Sequence, residues 1–222
     1  MYLFVDLAYT LGLLIANRLQ VPGNFAETAR RIVASETLYR IALSSQLIAS
    51  ICTVFLAFGL YAAVKPIGEN LALLALLFRL VEATIFGLNV LFSFVVLESF
   101  IASDYLKAFS GNEPSVLLIL RSAFYSDSFT IAGIFFSFGS ILFFYLFLKS
   151  TYIPKVLSAF GLFSSALVTI VSFTELILPR YAAMLQVGWG WAPLALAEIL
   201  AGLWLLIKGL NLRETTESAG IR

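Results

Sequence analysis

The chain has 222 residues, 61% of them hydrophobic and only 12% charged, with a formal net charge of +1. Soluble domains run about 45–50% apolar and about 25% charged, so this composition excludes an ordinary water-soluble globule. The balanced charge, with no basic patch interleaved with aromatic residues, offers no footing for a nucleic-acid partner.

Two absences narrow the chemistry. There is no histidine, and Cys52 is the only cysteine. That rules out an intramolecular disulfide, a zinc site built on His or several Cys, and the Ser-His and Cys-His nucleophile pairs. Haem would lack its usual ligands, since the only methionines are Met1 and Met184. Phosphate-binding and dinucleotide glycine motifs are absent as well. No metal and no cofactor is therefore expected. Cys52, inside an apolar run, reads as a small packing residue.

In chain order, the sequence predicts an all-α polytopic transmembrane bundle of six spans, at about 2–16, 38–64, 71–97, 124–148, 156–178 and 191–210. Apolar stretches of this length match the roughly 20 residues that a membrane-crossing helix needs. The first begins almost at Met1 without a basic leader and carries Asp6, so a cleavable signal peptide is not expected. Arg18 to Glu36 is a polar connector. Its turn signal Val21-Pro22-Gly23-Asn24, with Glu27 three residues on, resembles a capping box and predicts a short helix through Ile32. On the second span Gln46, Ser50, Thr53 and Ala57 share one face, a seam suited to helix packing. Lys65-Pro66-Ile67-Gly68 ends it in a tight hairpin.

The third span is the unusual one. Leu71 to Leu97 is apolar enough for lipid yet contains Arg79 and Glu82. At about 100° per residue, Arg79, Glu82, Phe86, Asn89 and Ser93 fall within roughly 80° of one another. That polar stripe should face other helices or a wet cavity, because an ionisable group in lipid costs about 2.5–3.5 kcal/mol even on the gentler scale.

A mixed connector, 102–115, precedes Val116 to Leu148, a stretch too long for one perpendicular crossing at about 1.5 Å per residue. Its start, with Arg121, Tyr125 and Ser128 on one face, is expected at or just inside the interface, and its membrane part includes Asp127. On the fifth span Ser158, Gly161, Ser165, Ser172 and Glu175 share a side, where small residues allow close helix approach. The sixth carries Glu198, with Trp189 and Trp191 at its start as an aromatic belt. Residues 1–210 are expected to form one membrane domain, and 211–222 a polar tail. Six spans place both termini on one side, and the short basic connections lean that side to the interior.

Four blocks carry a family resemblance: VPGNFAETARRIVASETLYRIALSSQLI, LYAAVKPIGENLALLALLFRLVEATIFGLNVL, LFLKSTYIPKVLSAFGL and ALAEILAGLWLLIKGLN. In this order they resemble the bacterial membrane family called domain of unknown function 4386, over about residues 10–213. The resemblance implies a multi-pass protein of the bacterial cell membrane with no assigned activity.

The candidate ligand-binding residues are Arg79, Glu82, Asn89, Tyr125, Asp127 and Glu198. Arg79 and Glu82, one turn apart, can neutralise each other and staple their helix to its neighbours. If Asp127 and Glu198 join them, the four make a charged midplane pocket suited to a polar or zwitterionic headgroup or a proton-coupled solute. Three readings stay open: a protein that binds or moves a small molecule or lipid, a structural or regulatory subunit with a membrane-protein partner, and an intramembrane enzyme of unfamiliar type.

Overall fold

The structure is a computed structural model that describes residues 2–101, 113–150, 152–184 and 187–209. The described residues form eight α-helices and one short 3₁₀ turn, with no strand among them. In order these are α1 (Tyr2–Leu19), α2 (Phe25–Ala34), α3 (Glu36–Val64), α4 (Glu69–Ile101), α5 (Glu113–Lys149), α6 (Lys155–Ile177), α7 (Pro179–Met184), the 3₁₀ turn (Val187–Trp191) and α8 (Ala192–Lys208).

Local chemistry sets the boundaries. The Asn24 Oδ1 accepts the Glu27 amide at 3.0 Å, so the predicted cap starts α2, which runs two residues past Ile32. Gly23 before it sits at φ +74°, a backbone conformation that glycine adopts without a Cβ penalty. Thr28 ties the helix back to the preceding turn by accepting the Val21 amide at 2.9 Å. At the other end of the chain Gly209, at φ +68°, closes α8.

Among the described residues, five helical segments are long and apolar enough to cross a membrane: Glu36–Val64, Glu69–Ile101, Val116–Lys149, Lys155–Ile177 and Trp189–Lys208. The sixth expected span is not among them. The stretch from Val116 to Leu148, expected to have an interfacial start and a membrane part, lies on one continuous helix of 37 residues. Connector residues 102–112 and tail residues 210–222 lie outside the described residues.

The residues group into two compact units. One comprises residues 2–3, 53–82 and 130–209. Its core is built from Leu60 and Val64 of α3, Ala72 and Ala75 of α4, Phe143, Phe144 and Phe147 of α5, Val168 of α6, and Leu194 and Ala197 of α8. Here α6 packs against α7, the 3₁₀ turn and α8. The expected small-residue face of α6 is sealed, with Ser158, Ser165 and Ser172 fully buried. Gly161 on that face lies directly beneath the Phe144 ring, where no Cβ would fit. The Trp204 indole donates to the Tyr152 carbonyl at 3.2 Å and ties α8 to the turn after α5.

The other unit comprises residues 4–52 and 83–129. Ala16, Ile32, Tyr39, Leu43, Val90, Leu97, Phe100 and Leu118 form its core. α1 and α3 approach so closely that a Cβ on Gly12 would stand 2.6 Å from the Ala42 carbonyl oxygen. The Ser45 hydroxyl donates to the Ala8 carbonyl at 2.6 Å across the same contact. Arg40 links Glu36 and Glu98 at 2.7 Å each on the exposed side.

On the long helices the faces turned away from these cores stay apolar. Phe55, Phe58, Phe163 and Ile170 are each at least 60% exposed. In water such surfaces would drive association; against lipid tails they carry no such cost.

Candidate functional site

The polar stripe of α4 is buried as expected: Arg79, Glu82, Asn89 and Ser93 are each no more than 5% exposed. In the first unit it supplies an ion cluster. Arg79 Nη1 lies 3.1 Å from Glu82 Oε2 on its own helix and 4.0 Å from Glu198 Oε1 on α8. Ser140 of α5 donates to the same Glu198 oxygen at 3.1 Å. Three helices therefore meet through one guanidinium and two carboxylates.

Two further α5 residues shape this cluster. The Arg79 guanidinium stacks over the Phe136 ring at 4.6 Å, an attraction worth about 2 kcal/mol when desolvated. Gly139 leaves room for the arginine stem, since a Cβ there would come within 3.1 Å of Arg79 Cγ and Cδ. Neither residue carries a charge, and sequence reasoning passed over both. Ser140 was equally silent, because a serine in an apolar helix most often bonds its own backbone.

In the second unit, Asn89 Nδ2 donates to the Ser128 hydroxyl at 2.5 Å, and that hydroxyl donates to the Tyr125 carbonyl at 3.1 Å. The Tyr125 and Tyr9 hydroxyls share a 2.8 Å hydrogen bond. A cavity of about 10 Å³ lies beside them, lined by Tyr9, Gln46, Phe86, Asn89, Val90 and Tyr125. One water needs about 10–15 Å³ and small-molecule pockets run about 300–1,000 Å³, so this space suits a single water. Tyr9 belongs to this group although its own stretch carried no chemical signal.

The remaining candidates separate. Asp127 is exposed on α5 and joins no ion pair among the described residues, because Ser128 beside it takes the inward direction. Glu175 is half-buried, with the Thr130 hydroxyl 3.4 Å from its carboxylate. Arg121, expected at the interface, is 8% exposed; its Nε donates to Ser93 Oγ at 3.2 Å, and its guanidinium lies 5.7 Å from the Tyr39 ring centre. Among the described residues, no group of three or more His, Cys, Asp or Glu is placed to hold a metal ion.

All-helical in its described residues, with five membrane-length apolar segments among them and Arg79, Glu82, Arg121 and Glu198 buried, the chain has the make-up of a helical membrane protein. It belongs to the family described as Domain of unknown function (DUF4386), whose profile matches residues 1–209. No curated protein and no solved structure matches it.

Proposed function

We propose that this chain is a multi-pass protein of the bacterial cell membrane that crosses it six times. We propose further that it binds or moves a small molecule or lipid at the polar site centred on Arg79 and Glu82. The observation that carries this reading is the burial of Arg79, Glu82 and Glu198 together, each at least 93% withdrawn from solvent. Folding alone has little use for such a cluster, since apolar side chains of similar volume commonly hold helices together as well or better. The two carboxylates outnumber the guanidinium they share, which suits a ligand bearing a positive group, such as an amine of a solute or headgroup. Glu198 is the exchangeable member, farther from Arg79 than Glu82 and held also by Ser140.

Native mass spectrometry of the protein in gentle detergent, wild type beside Arg79→Ala, tests the reading. A small molecule or lipid retained by the wild type and lost from the variant supports it. An empty protein in both forms, with the variant merely less stable, turns the cluster into a structural clamp.

That clamp is the second reading, a non-catalytic structural or regulatory subunit of a membrane complex. The close packing of Arg79 against Phe136 and Gly139 favours it. It predicts co-purification with another membrane protein.

A further inference from the structure

The second unit contains a buried cation that pairs with no anion among the described residues. Arg121 is 92% withdrawn from solvent, yet no carboxylate among the described residues pairs with it. Among the described side chains of its unit, the glutamates are engaged elsewhere: Glu27 by Arg30 and Arg31, and Glu36 and Glu98 by Arg40. Asp127 stands exposed. Arg121 spends one N–H, on Nε, against Ser93. The four protons on its two Nη atoms find no acceptor among the described residues.

Tyr39 supplies the second observation. It is 2% exposed, its ring lies beneath the Arg121 guanidinium, and its hydroxyl is buried without a hydrogen-bond partner. Ser93, which accepts from Arg121, sends its own proton to the Asn89 carbonyl at 3.0 Å. The guanidinium N–H groups left over here can only donate, and the Tyr39 hydroxyl can donate as well. Buried charges in proteins are paired, and a fork of guanidinium N–H groups matches the oxygens of carboxylate and phosphate. What the place lacks, among the described residues, is an acceptor-rich anion.

We infer that Arg121, with Tyr39 beneath it, is a binding site for a phosphate-type oxyanion, separate from the Arg79 cluster. The phosphate comes either from the headgroup of an anionic lipid or from free inorganic phosphate. Both present the same oxygens to the guanidinium, and the lipid adds acyl chains for the apolar outer faces of the helices.

The experiment uses the full chain in gentle detergent, as wild type, Arg121→Gln, Arg121→Lys and Tyr39→Phe. Each is titrated separately with phosphatidylglycerol, phosphatidylcholine and inorganic phosphate, and read by native mass spectrometry and thermal midpoint. A lipid site retains one phosphatidylglycerol in preference to phosphatidylcholine, loses it in Arg121→Gln and keeps it, weakened, in Arg121→Lys. A free-anion site raises the wild-type midpoint with inorganic phosphate, shows no lipid preference, and loses the shift in Arg121→Gln. Should Arg121→Gln fail to fold, Tyr39→Phe and Arg121→Lys decide, each expected to show weaker binding than wild type. Folded variants that bind phosphatidylglycerol and phosphate as the wild type does overturn the inference.

Discussion

Replacing Arg79 with alanine isolates the energetics of the ion cluster. The guanidinium is 4% exposed, and its loss leaves Glu82 and Glu198, at 5% and 7%, buried without their cation. Breaking a buried pair by removing one member costs about 3–5 kcal/mol, several times the roughly 0–1 kcal/mol of a surface pair. Loss of the Phe136 contact adds to this, while the Ser140 bond to Glu198 limits it. The expected net destabilisation is about 3–5 kcal/mol. The assay is reversible unfolding in mixed detergent micelles followed by circular dichroism, on wild type, Arg79→Ala and the triple variant Arg79→Ala, Glu82→Gln, Glu198→Gln. If stranded charge is the cause, the triple variant recovers much of the loss, because carboxamides leave no net charge buried. A single-variant loss under about 1 kcal/mol would mean that solvent reaches the cluster. A triple variant no better than the single one would place the cost in packing instead. Either result refutes the electrostatic argument.

Other outcomes follow from the same geometry. Gly161→Ala drives a methyl into the Phe144 ring and should cost about 1–3 kcal/mol in the same unfolding assay, with a neutral result showing that α5 and α6 can separate. Tyr125→Phe removes the hydroxyl pair with Tyr9 and should cost about 0.5–1.5 kcal/mol; no change would show that the pair contributes nothing net. In α2, the hydrogen bonds from Arg30 and then Arg31 hold Glu27 below its ordinary value of 4.5. A carboxylate lowered in the folded state stabilises fully above 4.5 and loses that contribution as pH falls through its folded value. Amide exchange across 25–34, corrected for intrinsic rate, should therefore quicken in acid for the wild type and much less for Glu27→Gln. Equal profiles would remove Glu27 from the helix's stability.

The sequence and the structure agree where one local rule decides. Apolar run length placed the long helices to within a few residues, save the start of α5, which lies at Glu113, well before the expected 124. The Asn24 cap fixed α2, and the 3.6-residue period found the buried stripe of α4 and the seam Gln46, Ser50, Thr53, Ala57 on α3. Disagreement begins where a choice depends on tertiary partners. Asp127 and Glu198 look alike in sequence, each a lone acid in an apolar span, yet Glu198 is buried beside Arg79 while Asp127 is exposed. Phe136, Gly139 and Tyr9 carried no signal because their roles rest on shape or on a distant hydroxyl. Arg121 was read from its place near a span end, but in a helix of 37 residues the end of an apolar run no longer marks a surface.

The two carboxylates that hold Arg79 differ in when they become available. Glu82 lies one turn away on α4, so its pairing needs only that helix. An α4 entering the bilayer alone already carries a neutralised pair, which lowers the barrier to inserting two charged side chains. Glu198 belongs to the last helix and can reach the guanidinium only after α8 has been made and docked beside it. The Arg79–Glu198 contact is thus a late event in assembly. A chain truncated before α8 would insert α4 without the Glu198 contact.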